Sequence, residues 1–370
     1  MPRPIEFNMR DPVPFEKPHF NSENKTISAE FMSKTLQLHR LYKERLNKEG
    51  KSPTIKSGEV NYDDLAYQYA SELMPGDWRG WTDDRSTTVG PSTATKVEVT
   101  YGFNDPDYIL PATGKPVGKP AFQILAGAEA VNSLQHRKST VEYLLLDNNQ
   151  PYEEWLAFAA GGGIEIFDAL KSAHETTSAI LSDFDSDCLR LADERISKYE
   201  LGERVKVTNR NLLIPAKVPF LDRLQRSYKG AFLLNAMDAC ISSKILGKKP
   251  YYNNVGDKLP KGAFDKVALS GLLDYVMTQR TASIVTRNTF AHVSNADGAK
   301  GIYTAIRAGH PDEEWLSSGI PGFPLMRYRT DDQIAEIFEI ANNRGADIAR
   351  VDFFPAGNNG YLVGEAFKEK

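Results

Sequence analysis

The sequence predicts an α/β protein built on a mostly parallel, seven-stranded sheet, with an antiparallel strand at its C-terminal end and a mainly helical region before it. Two observations predict this class. From residue 150 onward, short apolar runs alternate with amphipathic segments at helical spacing, an order typical of strands joined by crossover helices. Near the end of the chain, two alternating segments follow one another directly, which is typical of an antiparallel pair.

The composition is that of an ordinary globular protein. The 370 residues are 41% hydrophobic, and 45 Lys and Arg against 49 Asp and Glu give a formal net charge of −4. Such a chain lacks the bulk positive charge that holds nucleic acid. Its 2 cysteines exclude a disulfide framework and a multi-cysteine zinc site, so a cytoplasmic location is expected. We expect no membrane partner, because no apolar stretch reaches the roughly 20 residues of a membrane span and no secretory signal is readable.

The chain before residue 150 divides into an arm and a helical region. Residues 1–27 are rich in Pro, Lys, Asn and Glu and predict an extended, poorly ordered arm. Residues 28–149 show helical patterns over Ser28–Lys48, Tyr62–Leu73 and Ala121–Leu146, with a turn-rich, aromatic stretch before the last of them. We expect this region to form a lid that selects the substrate.

Residues 150–370 carry the predicted sheet, with an insertion at about 215–262. The predicted strands are Trp155–Ala160, Ala179–Leu181, Val205–Thr208, Phe264–Leu269, Gly301–Ile306, Ala346–Phe354 and Gly360–Phe367. The main helices predicted between them are Ile164–Ala173, Ser186–Tyr199 and Thr330–Asn342. Thr330 or Asp331 is expected to cap the last of these helices. Cys188 is expected to be a buried, inert thiol.

Three glycines, Gly161 to Gly163, join the first predicted strand to its helix. Glycine lets the backbone turn tightly and lets a ligand approach without meeting a Cβ atom. Asp183 ends the second strand about 20 residues further on, where a carboxylate can accept two hydrogen bonds from a ribose. Because the turn lacks the third spaced glycine of a pyrophosphate-binding fingerprint, a nucleoside without phosphate fits it better than a dinucleotide.

In five segments the sequence resembles the class I S-adenosyl-L-methionine-dependent methyltransferases, which have a Rossmann-like fold. The segments are WLAFAAGGGIEIFDAL (155–170), ILSDFDSDCLRLADERI (180–196), RVKVTNRNLL (204–213), FDKVALSGLLDYV (264–276) and the closing strand pair. They occur in the family's order and cover about residues 152–370. The resemblance implies a transferase that uses S-adenosyl-L-methionine as its cofactor and methylates a small molecule by in-line displacement.

The resemblance also implies which residues hold the cofactor. They are Ala160, Gly161, Gly162, Gly163, Asp183, Phe184, Asn211, Leu212, Ser270 and Gly271. The glycine loop would lie against the methionine and ribose, and Asp183 would bind the ribose hydroxyls with Phe184 beside the adenine. Asn211 matches the position that reads the adenine amino group. Ser270 and Gly271 would flank the methionine moiety and the substrate.

The sequence departs from the family pattern just before the glycines. Ala157, Phe158 and Ala159 stand where the family commonly has an acidic residue that helps to hold the cofactor's amino group. Two explanations remain open. Either Glu165 or a residue of the N-terminal region replaces that acid, or the cofactor binds in a changed pose.

Two residues are catalytic candidates on the substrate side. His310 follows the fifth strand, where family members often place substrate-contacting groups, and an imidazole suits general base work near neutral pH. The alternative is that His310 caps the turn before Pro311. Tyr275, beside Asp274 after the fourth strand, either contacts the substrate or packs in the interior.

Several other activities remain open. The same fold could use another bond of the sulfonium, in aminocarboxypropyl transfer or in an internal cyclisation that releases methylthioadenosine. A nicotinamide-dependent oxidoreductase shares the strand, glycine, helix, strand and acid pattern, and a non-catalytic binding module would keep only the fold. No metal site is predicted, because Asp183, Asp185 and Asp187 lack the loop glycine and final glutamate of a calcium-binding loop. The acceptor substrate and the oligomeric state are not readable.

Overall fold

The structure is a computed structural model that describes residues 3–17, 20–49, 118–183, 186–209, 259–274, 278–316 and 326–369, and the single positions Tyr69, Asp107 and Pro116. The helix predicted over Tyr62–Leu73 lies outside these residues except for Tyr69, which is helical. Most of the insertion at about 215–262 also lies outside them.

An 8-stranded sheet forms the centre of the fold, in the order β1-β7-β8-β6-β5-β2-β3-β4. The strands are β1 (Glu6–Met9), β2 (Glu154–Phe158), β3 (Ser178–Asp183), β4 (Val205–Asn209), β5 (Lys266–Leu269), β6 (Lys300–Ile306), β7 (Ile348–Ala356) and β8 (Tyr361–Lys368). Every pairing is parallel except those of β8, which runs antiparallel to β6 and β7. The predicted Rossmann-like sheet with an antiparallel C-terminal strand is confirmed.

The strand beyond the predicted seven comes from the N-terminal arm, which the sequence predicts to be poorly ordered. β1 pairs with β7 and places Phe7 opposite Val351. The Phe7 ring stacks on that of Phe353 with 6.0 Å between centroids. The Arg10 guanidinium lies 2.8 Å from a carboxylate oxygen of Asp352. β1 therefore covers an edge that β7 would otherwise expose, and its 4 residues are too few to show an alternating pattern.

Helices cover both faces of this sheet. They are α1 (Ser22–Lys48), α2 (Lys119–Gly127), α3 (Glu129–Leu146), α4 (Ile164–Ser172), α5 (Ser186–Lys198), α6 (Gln279–Phe290) and α7 (Asp331–Asn342). α7 begins at the predicted cap, where the Thr330 side chain accepts a hydrogen bond from the Gln333 N–H. The single helix predicted over Ala121–Leu146 is instead two helices, because Ala128 is extended. None of the helices in the described ranges is long and apolar enough to cross a membrane.

Two apolar layers lie on opposite sides of the sheet. Successive side chains of β2 point alternately into them, so that Trp155 packs with the layer that includes α2, α3 and α4, and Phe158 packs with the layer that includes α6 and α7. Both rings are at most 1% exposed. A strand buried on both faces reads as a continuous apolar run, which explains why β2 is recognisable in the sequence.

Helices α1 and α2 cross closely at Gly127. A Cβ atom built there would lie 1.9 Å from the carbonyl oxygen of Asn24. We expect Gly127→Ala to lower the free energy of unfolding by about 1–3 kcal/mol in urea titrations, because the backbone of α1 must move. Gly202→Ala is the control, since its Cβ would meet no atom closer than 4.0 Å. Equal effects of the two changes would contradict the close crossing.

Candidate functional site

The strand order creates a topological switch point between β2 and β5, where a ligand crevice is expected. The chain runs from β2 outward to β3 and β4, and then returns to β5 on the other side of β2. In open α/β sheets, ligands bind outside the carboxyl ends of strands at such a switch point. The loop after β2 at Ala160 and Gly161 and the loop after β5 at Ser270 and Gly271 flank this crevice, and all four residues are half-buried.

The glycine turn after β2 has a backbone that needs glycine. Gly161 and Gly163 have φ angles of 56° and 71°, in the left-handed region that favours glycine. A Cβ atom at Gly163 would lie 2.6 Å from the Leu181 side chain of β3. The Gly163 N–H donates to the Ala160 carbonyl over 2.8 Å. The left-handed backbone and the close approach of Leu181 therefore both require glycine in this turn.

Asp183, the last residue of β3, holds this turn. Its side chain is buried, and Oδ2 accepts a hydrogen bond of 2.8 Å from the Gly161 N–H. A carboxylate has about four acceptor positions, and this bond occupies one of them. The carboxylate singled out in the sequence thus lies against the glycine turn.

A second polar contact crosses the crevice between β2 and β5. The Ser270 hydroxyl after β5 donates to Glu165 Oε1 over 3.0 Å. Glu165 lies in the first turn of α4, directly after the glycine turn, and its side chain is buried. Gly271 has a φ angle of 83° and donates its N–H to the Thr304 hydroxyl over 2.8 Å. The structure therefore brings Glu165 into contact with Ser270, one of the two residues implied to flank the methionine moiety.

Two buried charges next to this contact, Arg137 and Asp274, were not predicted from the sequence. Arg137 of α3 donates from Nη1 to Asp274 Oδ2 over 2.9 Å, and its Nη2 lies 3.9 Å from Glu165 Oε1. The Arg137 and Asp274 side chains are 4% and 3% exposed. Burial raises the pKa of Asp274 to about 6, although Arg137 and the N–H of Ile306 act in the opposite direction. The sequence does contain one indication of this buried pair. Arg137 lies on the same face of α3 as the apolar residues Val141 and Leu144, so its charge is expected to be buried.

His310 lies beyond β6 and is almost completely buried, with 3% exposed. Its Nδ1 accepts a hydrogen bond of 3.0 Å from the Asp312 N–H, which leaves the proton of the neutral ring on Nε2. Burial lowers the pKa of His310 to about 4. Within the described part of the chain, Nε2 is buried and has no hydrogen-bond partner. In this form the Nε2–H is a hydrogen-bond donor without an acceptor among the described residues, and the Asp312 N–H contact matches the turn-capping alternative.

The buried His310 predicts a dependence of stability on pH. Its pKa is about 4 in the fold against an ordinary 6.5, so the unfolded chain takes up a proton first and stability is lost as the pH falls from about 6.5 to 4. At pH 4 this loss amounts to about 3 kcal/mol of the free energy of unfolding, and we expect His310→Gln to abolish it in urea titrations. The exposed His174 supplies the control, His174→Gln. If the free energy of unfolding falls equally with pH in His310→Gln and in the unchanged protein, His310 is not a buried neutral ring.

The other predicted site residues are only partly within the described ranges. Phe184, Asn211, Leu212 and Tyr275 lie outside them. His310 follows β6, and β5 separates β6 from β2. Cys188 is buried, as predicted. The described ranges contain no group of three His, Cys, Asp or Glu side chains placed to hold a metal ion.

The similarity of this chain to known proteins concerns its fold. No protein-family model matches the sequence, and no curated protein matches it. A solved structure of a possible exported protein from Bordetella parapertussis superposes with a TM-score of 0.57 at 13% identity, over 93% of this chain and 97% of that one. This likeness shows the fold alone.

Two further structures superpose less closely. The S-adenosylmethionine-dependent methyltransferase SibL in its apo form gives a TM-score of 0.43 at 12% identity, over 80% of this chain and 72% of that one. An O-methyltransferase family protein from Burkholderia thailandensis gives 0.41 at 15% identity, over 67% of this chain and 60% of that one. These two TM-scores are too low to support an inference about activity.

Proposed function

We propose that this protein is an S-adenosyl-L-methionine-dependent transferase that methylates a small molecule. The observation that carries the proposal is the 2.8 Å hydrogen bond from the Gly161 N–H to Asp183 at the switch point of the sheet. It places a buried carboxylate beside a turn without side chains. A carboxylate and a glycine turn suit a nucleoside, since its ribose hydroxyls donate to the carboxylate and its sugar approaches a backbone that has no Cβ atoms.

The residues present fit this cofactor at both of its ends. Asp183 and the glycine turn would hold the ribose, because the carboxylate of Asp183 lies 2.8 Å from the Gly161 N–H at the switch point of the sheet. Glu165, 3.0 Å from the Ser270 hydroxyl, offers a carboxylate for the ammonium group of the methionine part. Glu165 would thereby replace the acid that is missing before the glycines.

The residues of the chain would act by binding and orientation. When bound, the cofactor supplies a methyl group on a positively charged sulfur, which is already an activated alkyl donor. The protein must then hold a nucleophile in line with the methyl carbon and exclude water. We propose His310 and Tyr275 as the acceptor-side residues, with His310 donating a hydrogen bond from Nε2.

Calorimetric titration and product analysis test the proposal. We expect the purified protein to bind adenosylmethionine and adenosylhomocysteine, and turnover with candidate small-molecule acceptors to release adenosylhomocysteine. Release of methylthioadenosine would refute methylation and favour transfer or cyclisation through another carbon of the sulfonium. Binding of NADH without binding of either adenosyl compound would overturn the proposal in favour of an oxidoreductase.

A further inference from the structure

The glycine turn has three peptide planes, and hydrogen bonds fix the first and the third. In the first plane, the Ala160 carbonyl accepts from the Gly163 N–H over 2.8 Å, and the Gly161 N–H donates to Asp183 over 2.8 Å. In the third plane, the Gly163 N–H makes that same bond, and the Gly162 carbonyl accepts from Arg195 Nη1 over 2.6 Å. Both planes are therefore held at their N–H and at their C=O.

The middle plane joins Gly161 to Gly162 and is fixed only through its neighbours. Among the residues that the structure describes, neither the Gly161 carbonyl nor the Gly162 N–H has a hydrogen-bond partner. Gly162 is nevertheless buried. Since buried backbone N–H groups are almost always paired in proteins, a ligand oxygen is the natural acceptor for this one.

We propose that Arg195 is a positioning residue for the cofactor site. By holding the Gly162 carbonyl, it fixes the third peptide plane and thereby restricts the middle one, so that the Gly162 N–H can donate to an oxygen atom of the cofactor's ribose or amino acid part. This inference rests on the proposed function for the identity of the ligand. The contacts of Arg195 and Asp183 with the turn are present in the structure without any ligand.

The position and chemistry of Arg195 suit this role. It lies in the last turn of α5, and its half-buried side chain crosses to a carbonyl 33 residues earlier in the chain. A guanidinium presents several N–H donors in a rigid plane, whereas a lysine ammonium is a single flexible point charge. Arg195→Lys should therefore restore the contact only in part.

The test uses the full chain and three variants. Arg195→Met removes the donor, and Arg195→Lys keeps the charge. Arg190→Met is the matched control, because Arg190 lies on the same helix, is 50% exposed, and pairs with Glu194 one turn later. Hydrogen exchange measured by mass spectrometry without ligand reports on the turn amides of residues 160–163, and calorimetry reports on adenosylmethionine binding.

We expect Arg195→Met to speed exchange of the turn amides about tenfold and to weaken adenosylmethionine binding about tenfold, the effect of losing one charged hydrogen bond. Arg195→Lys should be intermediate, and Arg190→Met should match the unchanged protein. Unchanged exchange of the turn in Arg195→Met would overturn the inference. Faster exchange over the whole sheet would also overturn it, since that result marks a general loss of stability.

The two proposals can fail separately. If the unchanged protein binds no adenosyl compound but Arg195→Met still loosens the turn, the proposed function fails and the positioning of the turn by Arg195 stands. If adenosylmethionine binds equally well to the unchanged protein and to Arg195→Met, the positioning role is refuted while the proposed function stands.

Discussion

Replacing Asp183 with alanine is expected to weaken adenosylmethionine binding by about a hundredfold. The change removes the acceptor for the Gly161 N–H and the carboxylate proposed for the ribose hydroxyls. Hydrogen bonds to a charged group contribute about 1.5–3 kcal/mol each, and two at the lower figure correspond to a factor of about one hundred. Isothermal titration of the purified variant measures the change directly.

Two further variants separate this effect from a general loss of structure. Asp183→Asn keeps one acceptor oxygen, so we expect an affinity between those of the alanine variant and the unchanged protein. Glu194→Ala removes an exposed carboxylate from neighbouring α5 and should leave binding unaltered. Undiminished binding by a folded Asp183→Ala variant would remove Asp183 from the site and with it the main support for a nucleoside ligand.

Replacing Asp274 with alanine is expected to lower the free energy of unfolding by about 3–5 kcal/mol, because removing one partner of a buried ion pair leaves the other charge uncompensated. The change would remove the acceptor of the Arg137 guanidinium and of the Ile306 N–H, which donate to the two carboxylate oxygens over 2.9 Å and 2.8 Å. Glu165, 3.9 Å from Arg137, would compensate the charge only in part. Urea titrations at pH 7 followed by fluorescence provide the measurement.

A double-mutant cycle tests the pairing itself. Arg137→Met together with Asp274→Ala removes both charges, so we expect the double variant to be less destabilised than the sum of the two single variants. Simple additivity would show that Arg137 and Asp274 do not interact energetically. It would leave Asp274 with only its contacts to the backbone.

Asp274 and His310 act in opposite directions between about pH 6 and pH 4. Burial raises the pKa of Asp274 to about 6 from an ordinary 3.8, so the folded protein binds this proton before the unfolded chain does and gains stability as the pH falls. The low pKa of His310 has the opposite effect over the same range. The contribution of each residue to the pH dependence of stability is therefore measured by comparing its variant with the unchanged protein at both pH 6 and pH 4.

Much of the sheet and the glycine turn could be predicted because the responsible forces are local. Burial on both faces makes β2 an unbroken apolar run, and the left-handed backbone at Gly161 and Gly163 selects glycine. Asp183 could be placed because it directly ends a strand. These features require only residues that are near one another in the sequence.

The rest depends on contacts between distant parts of the chain. Arg137 and Asp274 are 137 residues apart and meet only after α3 packs near the loop that follows β5. The protonation state of His310 follows from burial and from the Asp312 N–H, and neither is visible in the pattern Arg-Ala-Gly-His-Pro. The bond from Arg195 to Gly162 likewise requires the folded position of α5.

The pairing of β1 with β7 has a consequence for the order of folding. Arg10 at the end of this strand and its partner Asp352 are 342 residues apart, so the N-terminal strand has no neighbour until nearly all of the sheet has been synthesised. Contacts of such long sequence separation form late and slowly. In a nascent chain β1 would therefore remain open to mispairing with other polypeptides until β7 is synthesised, and the pairing of the two strands would be the step that ends this exposure.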